Sequence, residues 1–311
     1  MSQATINEEK YLKESNLILA QKGKTFFWAK FLLNQKHGAK AVRLYRFCRY
    51  VDDVGDETAD KEVARLMLLK IIEDLITGSS DHHIVRDAIS LFNESQIEIN
   101  IPISLIQGVI SDLNLVRIKD EAALIFYCYQ VAGTVGLMMS KVLNIKDERA
   151  FAHAIDLGIG MQITNICRDV TEDAAMNRRY LPASLVGDIE PNALIKPDIQ
   201  AQDKIKLALA RMLSTADEYY QSGYHGLCFL PIRARLGISI ASGLYRQIGT
   251  NLVNKDFACW SFRSVVSKKL KAWLTLKILA RNMIASDFYF YSKSHNSRLH
   301  HPIRDLAYSH A

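Results

Sequence analysis

The sequence predicts an all-α protein, and three observations carry that reading. Helix breakers are scarce, with 15 glycines and 6 prolines in 311 residues, which favours long helices over a many-stranded sheet. Apolar residues recur at helical spacing, and two long stretches, 122–140 and 157–167, contain no charged residue. The one strand-like alternation, Ile97-Glu98-Ile99-Asn100-Ile101, runs into Pro102, which suits the first turn of a helix.

In order, residues 1–20 begin polar and become weakly amphipathic, and Gly23 interrupts them. Thr25 is a candidate N-cap for a buried helix through Phe26-Phe27-Trp28 to Leu33. A helix from Ala39 carries an acidic stretch at its C-terminal end. Residues 58–76 read as amphipathic, with Val63, Leu66, Met67, Leu69, Ile72 and Leu75 on the apolar side. Gly78-Ser79-Ser80 marks a loop, residues 82–93 a helix, and Pro102 opens another that runs to Leu115. The charge-free stretch 122–140 is long enough to cross a membrane. Its Tyr127, Tyr129, Gln130, Gly133, Thr134 and Gly136, and the acidic flank Asp120-Glu121, instead favour a helix inside a bundle. With 157–167 it would enclose a dry interior, where Ala132, Gly133, Gly136, Gly158 and Gly160 leave room. Pro182 is expected to end the next helix and 183–197 to form a loop. Helices follow over 200–221 and 264–284, with an apolar segment broken by Pro231 between them. Residues 1–285 read as one all-α domain and 286–311 as a polar, aromatic C-terminal tail, either docked or disordered. The adjacent His300-His301 is too isolated in sequence to define a metal site.

The net charge is +6, and residues 255–311 hold ten Lys/Arg against three Asp, a net of +7. This suits a phosphate-bearing partner or an anionic membrane surface, or is simply a solvated basic face. No zinc-finger or RNP-type signature supports nucleic-acid binding. The five cysteines are odd in number and widely spaced, as in a cytoplasmic protein with reduced thiols. No apolar leader precedes residue 20.

Two acidic clusters share one spacing. Asp52-Asp53-Val54-Gly55-Asp56-Glu57 places Asp52 and Asp56 one helical turn apart, within about 40° of each other. Taken alone it reads as a solvated acidic helix end. The second cluster changes that reading. In Gln162-Ile163-Thr164-Asn165-Ile166-Cys167-Arg168-Asp169, continued to Asp173, the residues Asn165, Asp169 and Asp173 step by four. A polar stripe on an otherwise apolar helix must face water or a lined cavity. Paired carboxylates with nearby Arg49, Arg168, Arg178 and Arg179 suit Mg²⁺ held against a diphosphate, since Mg²⁺ takes oxygen ligands and shares them with substrate phosphates. No GxGxxG, P-loop, HExxH or marked nucleophile offers a rival site.

These residues resemble the squalene/phytoene synthases, all-α class I isoprenoid synthases, over roughly residues 23–279. Four segments carry the resemblance: Leu44-Tyr45-Arg46-Phe47-Cys48-Arg49 into the first acidic cluster; Tyr127-Cys128-Tyr129-Gln130-Val131-Ala132-Gly133-Thr134-Val135-Gly136; the second cluster with Arg178-Arg179-Tyr180-Leu181-Pro182; and, more weakly, Tyr245-Arg246-Gln247-Ile248. The family's usual Ser-Lys-Ser-Phe is Gly23-Lys24-Thr25-Phe26 here, which loses only the first serine hydroxyl.

The resemblance implies an isoprenoid-synthase helical bundle around a central apolar cavity. Asp52, Asp56, Asp169 and Asp173 would hold Mg²⁺, or Mn²⁺ in its place, on two diphosphates, assisted by Asn165. Arg49, Arg168 and Arg178 would contact diphosphate oxygens. Gln162, Tyr127 and Tyr245 would lie at the reacting carbons, with Tyr127 steering or accepting the proton. Phe26, Val131, Ala132 and Gly158 would line the tail pocket. The implied reaction is head-to-head (1'-1) condensation of two allylic diphosphates through a cyclopropylcarbinyl diphosphate. The expected product is phytoene, from two geranylgeranyl diphosphates, in carotenoid biosynthesis. The alternative is a thirty-carbon product from farnesyl diphosphate, with NADPH needed only for squalene. Head-to-tail prenyl transfer and a non-catalytic lipid-binding bundle stand further off. The implied location is the cytoplasm, with peripheral contact at the inner face of the membrane for release of a lipid product.

Overall fold

The computed structural model describes Leu33, residues 35–306 and Tyr308. Every regular element among them is helical, and the one β feature is an isolated bridge between Arg117 and Arg179. The long helices are α1 (Gln35–Glu57), α2 (Lys61–Thr77), α3 (His83–Ser95) and α4 (Asn100–Asp112). Then come α5 (Glu121–Cys128), a π-helical turn (Tyr129–Gly133), α6 (Thr134–Val142) and α7 (Arg149–Arg168). Three short helices follow, α8 (Val170–Ala175), α9 (Ala183–Val186) and α10 (Pro191–Ile195). The chain continues through α11 (Ile199–His225), a 3₁₀ turn (Gly226–Phe229), α12 (Ile232–Val253), α13 (Lys268–Ile284), α14 (Ser286–Tyr289) and a last 3₁₀ turn (Ser297–Ile303).

Local chemistry sets several of these boundaries. Asp60 opens α2 by accepting from the Glu62 and Val63 amides, and Gly78 closes it at φ +70°, a conformation that costs other residues more. Asp120, Asp198 and Ser267 cap α5, α11 and α13 in the same way, each accepting from an amide three residues on.

Helix α7 is the hub, packed most extensively against α11 and also against α6, the π turn and α12. One buried cluster, with Phe47, Phe92, Leu105, Leu137, Ile155 and Leu209 among its members, runs through these helices. Two glycines set how closely α7 approaches its neighbours. A Cβ on Gly158 would collide with the Ala132 carbonyl, and one on Gly136 with the Ala154 carbonyl. They permit backbone contact as well as leaving room.

The stretch from Glu121 to Val142 is long and apolar enough to cross a membrane. Its Cys128, Tyr129, Leu137 and Met138 are fully buried by other helices, so it serves as core, interrupted by the π turn.

Several expectations need correction. The buried face of α2 is Ala64, Leu68, Ile71, Asp74 and Leu75, while Val63, Leu66, Met67 and Leu69 are exposed. Asp74 can be buried because it accepts from Ser80 at 2.6 Å. Helix α4 ends at Asp112, three residues early. The stripe-bearing helix breaks at Asp169 (φ −104°, ψ 20°). Pro182 does not end a helix; it stands at the N-cap of α9, and 183–197 contains both α9 and α10. For the tail, the docked alternative holds over its described length, with Phe288, Leu299, His300 and Ile303 buried. The expected helix through Phe26 and its N-cap Thr25 lie outside the described residues.

Candidate active site

The last turns of α1 present Asp52 and Asp56 on one side, with Asp53 and Glu57 further round. Arg49 pairs with Asp53 one turn on and reaches Glu57 at 3.7 Å. On the other side, α7 and α8 supply Asn165, Asp169 and Asp173. The break at Asp169 does not destroy their register. The Asp169 amide donates to the Asn165 carbonyl at 2.9 Å, and the Asp173 amide to the Asp169 carbonyl at 2.8 Å, so the step of four survives. Arg178, just beyond α8, donates to Asp56 Oδ1 at 3.2 Å and so ties the second cluster to the first. Arg168 clasps Asp169, with Nε donating to Oδ1 at 2.8 Å. Arg263 adds a contact to Asp169 at 2.8 Å and one to Glu172 at 3.1 Å.

The electrostatics divide the aspartates. Burial, followed by the nearby Asp56, Asp53 and Asp112 against a partial offset from Arg49, pushes the Asp52 carboxyl up to about 7. Burial and the adjacent Asp169 likewise push Asp173 up to about 7. Asp169 goes the other way, because Arg168 and Arg263 outweigh its burial and hold it below the usual carboxylate range. The arginines therefore satisfy one member of the stripe and leave the others in want of positive charge. Asn165 points to the same deficit. Its Nδ2 donates to Gln162 Oε1 at 3.3 Å, while its buried Oδ1 has no hydrogen-bond partner among the described residues. An orphaned carbonyl oxygen beside raised carboxylates is a donor set that fits a hard divalent cation.

Behind this polar end lies an apolar cavity of about 310 Å³. Asp52, Gln162, Asn165 and Tyr245 line one part of it, and Ala150, His153 and Leu227 another. Asn165 and Ala150 lie fifteen residues apart on α7, about 22 Å along the axis, so the cavity is deep. Val131, Ala132 and Gly158 line its wall.

Of the expected site residues, Asp52, Asn165, Gln162, Tyr245, Val131 and Ala132 line the cavity. Asp56, Asp169, Asp173, Arg49, Arg168 and Arg178 form the charged end. Phe26 lies outside the described residues. Tyr127, expected at the reacting carbons, is not among the cavity-lining residues. Its hydroxyl donates to Asp112 Oδ2 at 2.8 Å, and the Tyr180 hydroxyl donates to Oδ1 at 2.7 Å. Burial, opposed by these two bonds, brings Asp112 up to about 6. Arg179, offered by the sequence as a phosphate contact, is buried. It donates to the Ile118 and Leu181 carbonyls and to Asp188, a fixed internal brace.

The sequence pattern does not mark Asp112, Arg263 or Glu172 as site residues. Asp112 and Arg263 stand alone in their segments, far in sequence from both clusters, and carry no local signal. Glu172 lies within the second motif but off its four-residue step.

The squalene/phytoene synthase family profile matches residues 19–271. A phytoene synthase of Pseudescherichia vulneris is 32% identical over 273 residues, covering 83% of this chain and 87% of that protein. A 15-cis-phytoene synthase of Pantoea ananas is 29% identical over 288 residues, covering 87% and 92%. Among solved structures, a dehydrosqualene synthase bound to a ligand superposes with a TM-score of 0.75 at 22% identity over 90% of this chain and 99% of that one, a likeness of fold. With its charged cluster, its cavity and these matches, the chain belongs to the squalene/phytoene synthase family.

Proposed function

We propose that the protein condenses two geranylgeranyl diphosphates head-to-head to phytoene, releasing two pyrophosphates. The observation that carries this reading is the junction of a carboxylate–arginine cluster with a deep apolar cavity at Asp52, Gln162 and Asn165. That junction suits a diphosphate head on a long hydrocarbon tail. The curated relatives cited above bear the name phytoene synthase, and this favours the forty-carbon product over a thirty-carbon one.

Asp52, Asp56, Asp169, Asp173 and the Asn165 Oδ1 would hold Mg²⁺. Bound there, Mg²⁺ neutralises charge on the diphosphate leaving group. The chain's own groups do the rest. Arg49, Arg168, Arg178 and Arg263 bind diphosphate oxygens and stabilise the leaving group as the C–O bond breaks. The first allylic cation then adds to the double bond of the second substrate, and a proton leaves to close the cyclopropane. A second ionisation opens that ring, and loss of a second proton gives the hydrocarbon with no reductant consumed. Val131, Ala132, Leu157 and Gly158 keep water from the cations. Tyr127 and Tyr180 hold the Asp112 carboxylate at the charged end, where it can take up a released proton.

The enzyme acts in the cytoplasm against the inner face of the membrane. Helix α13 supports the membrane contact, exposing Trp273, Leu276, Met283 and Ile284 on an element that also carries Lys268, Lys269, Lys271, Lys277 and Arg281.

The test is product analysis by mass spectrometry after incubation with Mg²⁺ and either geranylgeranyl or farnesyl diphosphate, with and without NADPH. Forty-carbon hydrocarbon formed without NADPH supports the reading. Squalene appearing only with farnesyl diphosphate and NADPH would refute it.

A further inference from the structure

A second polar cluster lies about 20 Å along α7 from Asp169, thirteen residues back. Its centre is Asp156, whose side chain has no solvent exposure. The C-terminal tail brings two imidazoles to it. His295 Nε2 lies 2.8 Å from Oδ2 and His300 Nε2 lies 2.7 Å from Oδ1. Ser222 on α11 donates to Oδ2 at 2.5 Å. His153, on the same face of α7 as Asp156, places Nδ1 3.0 Å from the Ser222 oxygen. Since the Ser222 proton goes to Asp156, its oxygen accepts from His153 Nδ1–H. The other nitrogen, Nε2, is then a bare lone pair, buried and without a partner among the described residues.

A buried carboxylate costs several kcal/mol unless positive charge stands beside it. No Lys or Arg among the described residues forms an ion pair with Asp156; its partners are two imidazoles and a hydroxyl. The two nitrogens and a carboxylate oxygen all lie within 4.8 Å of one another. Imidazole with carboxylate is a donor set for zinc and its transition-metal neighbours rather than for magnesium.

We propose that Asp156, His295 and His300 form a binding site for a divalent transition metal, Zn²⁺ first among them, that fastens the C-terminal tail to α7. Three protein ligands leave one position for water. Ser222 holds the carboxylate, and His153 in turn holds Ser222, an outer layer that orients the metal ligand. Ligands about 2.0–2.1 Å from a tetrahedral ion stand about 3.3 Å apart, so loading draws both imidazole nitrogens off their separate carboxylate oxygens and onto one ion held by a single oxygen of Asp156. Both imidazoles are on the tail, which takes up that movement. The tail is also tied to α11, where the Tyr219 hydroxyl donates to the Leu299 carbonyl at 2.6 Å. The ion would thus join the tail to the hub helix, apart from the Mg²⁺ positions at its other end.

The full chain, without a histidine tag, is stripped with chelator, titrated with Zn²⁺ alone and freed of excess by gel filtration. Bound metal is counted by elemental mass spectrometry and thermal unfolding is followed in parallel. The expectation is one zinc per chain and a Tm rise of about 5 °C at saturating zinc, with Mg²⁺ giving neither. His295→Gln with His300→Gln should retain no zinc, and Ser222→Ala should still bind one. Co²⁺ provides a readout on wild-type protein alone. A visible d–d band without thiolate charge transfer places the ion on nitrogen and oxygen donors. No retained zinc, equal zinc in the double variant, or a thiolate band from the free cysteines overturns the proposal.

Discussion

Replacing Asp52 by asparagine should stabilise the metal-free protein while removing its activity. Burial and neighbouring carboxylates raise Asp52 from its ordinary 3.8 to about 7. At about 1.4 kcal/mol per pH unit, ionising this one group costs the fold at most about 4 kcal/mol. Asp52 is only partly buried, and its neighbours readjust their protonation when it is neutralised, so a net gain of about 1–2 kcal/mol is expected. The sign follows from the direction of the shift. A carboxyl whose pKa is raised by folding destabilises nothing below about pH 4, where both states are protonated. Its cost grows from there to about pH 7 and is complete above it. The variant's advantage should therefore be small at about pH 5 and full at about pH 8. Urea denaturation with EDTA present, at both pH values, measures it. Turnover should meanwhile fall by about 10²–10³-fold or more. A variant less stable than wild type at the higher pH would refute the reasoning, because it would mean that attraction to Arg49 outweighs the cost of burial together with repulsion from the other carboxylates.

Three further outcomes follow from the same geometry. Gly158→Ala drives a methyl into the Ala132 carbonyl and should cost about 3 kcal/mol by urea denaturation; an unchanged midpoint would show that α7 and the π turn separate easily. Ala150→Phe fills the part of the cavity remote from Asn165, so the enzyme should shift towards farnesyl diphosphate and thirty-carbon product, and an unaltered product ratio would place the tail elsewhere. Lys269→Glu with Lys277→Glu should weaken co-sedimentation with anionic vesicles while leaving activity in detergent unchanged; full retention on the vesicles would remove α13 as the contact surface.

The fold class was legible because it rests on composition and on long charge-free runs, which no tertiary detail reverses. The acid clusters were legible because a four-residue step survives even the break at Asp169, held by the two backbone bonds across it. What misled was α2. It is apolar on nearly every side, so periodicity could not choose a face, and the buried side includes small Ala64 and a hydrogen-bonded Asp74. Asp112 and Arg263 were illegible for another reason. Each is a single residue brought to the site by long-range packing. The same holds for the tail cluster, where His295 and His300 lie 139 and 144 residues from Asp156. The π turn also left no trace in the sequence pattern, although it sets Val131 and Ala132 into the cavity wall.

The central claim is that one cavity carries out two successive ionisations on a pair of prenyl diphosphates. A single-turnover reaction with geranylgeranyl diphosphate and Mg²⁺, quenched over time, tests it most directly. The account predicts a cyclopropylcarbinyl diphosphate that rises and then disappears, with two pyrophosphates released for each forty-carbon hydrocarbon. One pyrophosphate per product, with a longer prenyl diphosphate and no cyclopropane, would contradict it.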